Sequence, residues 1–209
     1  MKPAVLLLDE PMAALDRSLR ADVQKQLAGI QRKVGATFVL VTHDQDEAMA
    51  MSDYIAVMNQ GQIVQFGTPQ DVYEYPRTKF VASFLGTINL FEGSLSEQGP
   101  SGLRLLTKDG LDIFVSGEAA GTGEGCAVGV RPEKVLVSRQ PTSLPNDFCG
   151  TIERLSYCGN LSHATVRLTN HRAIEATLVN SHHSGAGALR PGDAVHVGFP
   201  EDATVVLHG

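Results

Sequence analysis

Apolar residues along the first 88 positions change period several times, and each change predicts an element. "VLLL" (5–8) is a continuous apolar run without alternation, the pattern of a strand buried on both faces of a parallel sheet. Leu15, Leu19, Val23, Leu27, Ile30 and Val34 then recur at spacings of three and four, which predicts an amphipathic helix, and Gly35 stands where a left-handed terminator belongs. "TFVLV" (37–41) is a second short apolar run. Strand, helix and strand in this order predict a right-handed parallel crossover unit. "YIAVMNQGQIVQFG" reads as two strands of a hairpin joined at Gln60-Gly61. "TPQDVYEYP" offers Thr68 as N-cap, Pro69 in the first helical position and Asp71 at N3, and "KFVASFLG" extends the helical character to Gly86. From residue 89 the texture becomes short β-rich segments punctuated by Gly, Pro and Asn, among them "CAVGVRPEKVLVS", "GTIERLSYCG", "SHATVRL", "AIEATLV" and "DAVHVGF". That pattern predicts a small barrel or sandwich. The expected division is therefore 1–88, α/β, and 89–209, all-β. No solenoid period is present, and "SEQGPSG" (96–102) and "SHHSGAGA" (181–188) read as loops.

Composition narrows the function classes. The formal charge of −6 is spread along the chain: residues 1–88 hold 8 Lys/Arg against 10 Asp/Glu, and residues 89–209 hold 9 against 13. Neither half is basic, so nucleic acid is not an expected partner. Cys126, Cys149 and Cys158 form no C-x-x-C pair and no even framework, which is the usage of reduced thiols in a cytosolic protein. No apolar run approaches the roughly 18 residues of a membrane span, and the opening run meets its acids too early for a signal peptide. A membrane role would be exercised through a partner.

The chemistry lies at the ends of the two apolar runs. Asp9 and Glu10 follow the first, His43 follows the second, and adjacent parallel strands would carry them into one cleft beyond the carboxyl edge of the sheet. A carboxylate such as Asp9 suits Mg²⁺, which prefers hard oxygen ligands. Glu10 could polarise a water for in-line attack on a phosphate while His43 hydrogen-bonds that phosphate or orients the water. A plainer reading exists for each: an acid at a strand end is often a cap, and Asp44 with Glu47 three residues on forms a capping pair for the next helix. The combination at matching strand ends favours the chemical reading. His182-His183, in a Gly/Ser segment, reads as a solvated loop rather than a metal site.

"VLLLDEPMAALD" together with "VLVTHDQDEA" strongly resembles the second half of the nucleotide-binding subunit of ATP-binding cassette (ABC) transporters. In that resemblance the first strand and its acids are the Walker B motif, "AALD" the D-loop and "THD" the switch. It implies that Asp9 supports Mg²⁺, Glu10 is the catalytic carboxylate, Asp16 reaches across a dimer interface and contributes to nucleotide binding, and His43 contacts the γ-phosphate of ATP. The likeness continues through "IAVMNQGQIVQFGTPQDVYEYPRTKFVASFLGTINLFEG" into the importer branch with a C-terminal TOBE (transport-associated OB-type) domain. "VRPEK" and "RPGDAVHVGFPEDATVVL" are similar to strands of that domain, although the chain contains no Trp. "FLGTINLFEG" and "SYCGNLSHATVRL" look most like polyamine importers of the putrescine/spermidine type; iron, sulfate and sugar relatives share the framework.

The resemblance implies a fold of α/β type, the C-terminal part of a P-loop ABC ATPase domain followed by an OB-like TOBE barrel. It also implies partners: transmembrane permease subunits, a second ATPase subunit and, indirectly, a periplasmic solute-binding protein, at the cytoplasmic face of a bacterial inner membrane. The 209 residues contain no phosphate-cradling loop ending in Lys-Ser/Thr, no Q-loop and no LSGGQ-type signature. The chain is therefore expected to be a C-terminal fragment that by itself neither binds ATP tightly nor hydrolyses it. The competing expectation is a non-catalytic regulatory, ligand-sensing or adaptor module acting through its barrel.

Overall fold

A computed structural model describes residues 3–13, 15–98, 102–116, 123–180 and 189–207. Ala14, the tip of the 96–102 segment and the whole 181–188 segment, with His182-His183, lie outside the described residues. The chain forms two compact units, Met1–Tyr75 and Pro76–Gly209.

In the first unit β1 (Val5–Asp9) pairs parallel with β2 (Thr37–Val41), in register from Val5↔Thr37 to Asp9↔Val41, and α1 (Arg17–Val34) connects them. Asp16 caps α1 by accepting from the Leu19 N–H at 2.9 Å, and Gly35 ends it with φ 67°, its N–H donating to Gln31 O. α2 (Gln45–Met51) starts at the Asp44 cap. β3 (Ile55–Asn59) and β4 (Gln62–Gly67) form the expected hairpin, with Gln60 at φ 49° and Gly61 at φ 78° giving the positive-φ pair that matches strand twist. α3 (Pro69–Glu74) carries the full Thr68/Asp71 capping box.

One expectation for this unit fails. The run Val5–Leu8 is not buried on both faces: Val5 is 58 % and Leu7 66 % exposed, and their neighbours Val39 and Val41 are 43 % and 49 % exposed. Period-2 geometry explains it. Val5, Leu7, Val39 and Val41 share one face of a two-stranded sheet, and a parallel pair is covered on both sides only where further layers pack on it.

The second unit opens with α4 (Lys79–Phe84), capped by Thr78 and closed before Gly86 at φ 127°. The boundary expected at residue 88 falls inside this unit because α4 belongs to the β structure. Ala82 is fully buried with Ala127 and Leu207, and the buried Arg131 guanidinium donates to the carbonyls of Ala82, Gly86 and Thr87.

The strands that follow are β5 (Asn89–Gln98), β6 (Gly102–Thr107), β7 (Asp112–Ser116), β8 (Gly123–Val130), β9 (Leu136–Ser138), β10 (Asn146–Cys158), β11 (Leu161–Leu168), β12 (Ala173–Val179), β13 (Ala194–Phe199) and β14 (Thr204–Leu207). The expected small-barrel or sandwich texture is realised as two five-stranded antiparallel sheets, ordered β14-β8-β5-β6-β7 and β9-β13-β10-β11-β12. Each sheet curls until its edge strands approach, β14 towards β7 and β9 towards β12. The two orders are the same topology with the fifth strands exchanged: after β8 a 3-10 turn (Pro132–Lys134) sends β9 into the second sheet, and after β13 a matching turn (Glu201–Ala203) returns β14 to the first.

Sequence supports the duplication, since Asn-x-Phe-x-Gly occurs at 89–93 and 146–150, and "VGVRPE" at 128–133 parallels "VGFPED" at 197–202. Each motif residue repeats its job. Phe91 and Phe148 both pack on Phe199, at 5.9 and 6.0 Å between ring centroids. The buried Asn89 amide donates to Glu175 O at 2.9 Å and accepts from Glu175 N at 2.8 Å. The buried Asn146 amide donates to Phe114 O at 2.9 Å and accepts from Phe114 N at 2.8 Å. Each asparagine therefore satisfies one residue of the other sheet's edge strand, β12 or β7, as a backbone partner would. Gly93 and Gly150 allow close approach of the ladder: a Cβ at Gly93 would lie 2.1 Å from Leu106 O, and one at Gly150 would lie 2.8 Å from Arg167 O. One continuous core, including Phe91, Leu105, Ile113, Ile152, Val166 and Phe199, fills both sheets.

Candidate functional site

The site belongs to the first unit. β1 and β2 lie side by side and end level, with Asp9 opposite Val41. Glu10 leaves the strand with its N–H donating to Val41 O at 2.8 Å and its backbone at φ 43°. A non-glycine residue in that left-handed region carries strain of about 1–3 kcal/mol, the kind that persists where surrounding structure enforces it, often at functional sites. The turn aims the Glu10 carboxylate across the strand ends, where its Oε1 meets His43 Nδ1 at 3.0 Å. Both side chains remain open to solvent, Glu10 at 49 % and His43 at 73 % exposure, so a solute can reach them.

The hydrogen bond to Glu10, then its charge, holds the His43 pKa above the ordinary 6.5; the charges of Asp44 and Glu47 add to this and partial desolvation opposes it. With Nδ1 on Glu10, the imidazole keeps Nε2 for a second partner, and a charged imidazole donates there to an oxyanion. Glu10 accepts from His43 and retains its other oxygen, which can take a proton from water.

Of the four residues singled out from sequence, Glu10 and His43 are in direct contact. Asp9 sits beside them as the last residue of β1, exposed on the sheet face it shares with Val41. Asp16 is engaged at the start of α1 as its N-cap. No group of three His, Cys, Asp or Glu suited to a metal occurs among the described residues. The single Asp9 carboxylate fits an ion of the Mg²⁺ type, which takes one or two protein carboxylates and completes its shell with phosphate oxygens and water.

A layer of side chains behind the pair went unread in the sequence. Arg20 of α1 donates to the Asp44 carboxylate and lies 3.6 Å from Glu47 Oε1 through Nε. Glu47 is buried, and its other oxygen accepts from Thr42 Oγ1 at 2.8 Å. Asp44 and Glu47 do form the expected cap, Glu47 N donating to Asp44 Oδ1 at 3.1 Å. The signal that could have revealed more is Arg20, placed one turn after Asp16 on the half-polar face of α1.

Comparison with known proteins adds the family. The TOBE domain family model matches residues 128–207. The chain is 40 % identical over 210 residues to the putrescine transport ATP-binding protein PotG of Escherichia coli K12, covering 99 % of this chain and 55 % of PotG. It is 44 % identical over 184 residues to the spermidine/putrescine import ATP-binding protein PotA of Nostoc sp. PCC 7120, covering 86 % of this chain and 48 % of PotA. Among solved structures it is similar to CbiO1 of Clostridium perfringens, part of the ABC transporter complex CbiONQ, with 37 % identity, a TM-score of 0.32 and coverage of 34 % of this chain and 28 % of that one. The chain spans about half the length of the curated relatives it matches. The chain is thus similar, over most of its own length and about half of theirs, to the ATP-binding subunits of polyamine ABC importers, and its residues 128–207 match the TOBE domain family.

Proposed function

We propose that these residues form the hydrolytic half-site and the C-terminal β unit of an importer's energy-coupling subunit, which in its complete form cleaves ATP and drives solute through a membrane permease. The observation that carries this is the Glu10–His43 contact of 3.0 Å at the ends of adjacent parallel strands. Glu10 accepts the proton of a water whose oxygen attacks the γ-phosphorus in line, with ADP as leaving group, and His43 donates through Nε2 to the phosphoryl oxygens. Asp9 would hold Mg²⁺, directly or through water, and the ion would neutralise charge on the phosphates. Asp16 faces a second copy of the subunit in this reading, and the 209 residues alone, without a phosphate-cradling loop, do not turn ATP over.

The cargo is proposed to be a polyamine, because PotG and PotA carry putrescine and spermidine in their names and match along most of the chain. The partners are two permease subunits and a solute-binding protein, and the location is the cytoplasmic face of a bacterial inner membrane. Among the described residues no helix is long and apolar enough to cross a membrane. The test is ATP-driven uptake by the complete subunit reconstituted with its permease and binding protein in vesicles. Saturable uptake of labelled putrescine or spermidine is expected; uptake of ferric iron, sulfate or a sugar instead would replace the cargo assignment, and no ATP-dependent uptake of any solute would overturn the energy-coupling reading.

A further inference from the structure

We infer that Arg20 is a positioning residue for the hydrolysis assigned above, fixing the segment that carries His43 onto the helix that begins at Asp16. The inference rests on reading Glu10 and His43 as the hydrolytic pair. His43 is 73 % exposed, so packing does not aim its ring; besides the Glu10 contact, the backbone on either side of it sets its direction. Both flanking residues are gripped. Thr42 Oγ1 donates to Glu47 Oε2 at 2.8 Å and accepts from Asp44 N at 3.0 Å, and Asp44 receives the Arg20 guanidinium.

Arg20 supplies the positive charge at the centre of this network. Its Nε is buried and, without a hydrogen-bond partner of its own, faces Glu47 Oε1 at 3.6 Å, while Nη2 donates to Leu15 O at 3.4 Å. Glu47 is 2 % exposed, and burying a carboxylate costs several kcal/mol unless an opposite charge lies beside it. The planar fork of arginine serves Asp44 and Glu47 together, which the point charge of lysine cannot do with the same geometry. The Arg20 N–H also donates to Asp16 O at 2.9 Å. One helical turn thus joins the residue assigned to the subunit interface to the residue assigned to the γ-phosphate, and a shift at Asp16 reaches His43 through one guanidinium.

The experiment pairs Arg20→Gln with Glu47→Gln, because Arg20→Gln alone strands a buried charge and can unfold the unit, whereas the double variant removes both charges. Steady-state ATP hydrolysis is measured in the complete subunit assembled with its permease, and the ring-nitrogen NMR signals of His43 in the 209-residue chain. The expected result for the double variant is a fall in kcat of about tenfold to a hundredfold with KM for ATP changed less than about threefold, the size of loss expected when a reacting group is misaimed. Loss of the Nδ1 signature of the Glu10 contact should accompany it. Arg20→Lys should recover less than half of the activity. A folded double variant with unchanged kcat, or with the His43 signature intact, overturns the inference. Glu10→Gln in the same assembly separates the two levels: normal turnover in that control refutes the hydrolytic pair itself, whereas an inactive control beside a fully active Arg20→Gln/Glu47→Gln variant refutes only the role of Arg20.

Discussion

Replacing Asn146 by leucine tests the duplicated architecture at one point. The side chain is 1 % exposed and makes two hydrogen bonds, 2.8 and 2.9 Å, to the N–H and C=O of Phe114 in the other sheet. Leucine has nearly the same shape and removes both bonds, leaving a buried backbone donor and a buried acceptor at an edge strand without partners. Each stranded group costs about 1–3 kcal/mol. Burial of the added apolar surface returns about 1–2 kcal/mol. The net loss is about 2–4 kcal/mol, which for a unit of this size lowers its melting midpoint by roughly 10 °C. The sharper readout is amide exchange: the Phe114 N–H should exchange about thirtyfold to a thousandfold faster, since each 1.4 kcal/mol is tenfold, while amides in β10 itself change much less. Asn89→Leu should do the same to the Glu175 amide. Retained protection at Phe114 in Asn146→Leu, or equal loss throughout β10 and β7, would refute the view that this amide stands in for a strand.

Other outcomes follow from individual contacts. Gly93→Ala places a methyl 2.1 Å from the Leu106 carbonyl oxygen and should destabilise the β unit by about 3 kcal/mol or more, seen as a lower urea midpoint. His43 should titrate above 6.5 by NMR and move towards 6.5 in Glu10→Gln; because its folded pKa is raised, the stabilisation from this pair is complete below 6.5 and fades as pH rises through the folded value. Asp147 is held below the ordinary carboxylate pKa although burial pushes the other way, because the Thr142 hydroxyl, 2.6 Å away, and then His196 outweigh it. Thr142→Val should therefore lower stability at neutral pH, with the difference from wild type closing as pH falls below about 4 and Asp147 protonates in both chains.

Local chemistry was readable from sequence wherever one residue determines one conformation. Gly35, the Gln60-Gly61 turn and the Thr68/Asp71 box each took the expected conformation because cap and turn geometry depends on a few neighbouring atoms. Strand-end acids and the histidine were legible for the same reason: two short apolar runs one crossover apart form a parallel pair, and their ends coincide. The exposure of Val5 and Leu7 is not legible in the sequence, because periodicity shows which face a side chain takes, not whether another layer covers it. The division of the β-rich half into two curled sheets is not legible in local pattern, because the repeat survives in few positions, Asn-x-Phe-x-Gly and a Val-Gly pair, and because β9 and β14 exchange sheets, a long-range pairing. The role of Arg20 is hidden for a related reason: an arginine on a helix face reads as solvated, and only the fold brings the buried Glu47 beside it.

In the proposed function Glu10, aimed by its backbone turn and paired with His43, is the base for ATP cleavage. Steady-state hydrolysis by the complete subunit carrying Glu10→Gln, a change that keeps the shape and removes the charge, tests it most directly. Turnover is expected to fall by about a hundredfold or more with nucleotide-dependent pairing of two subunits preserved; turnover within twofold of wild type would contradict the role of Glu10.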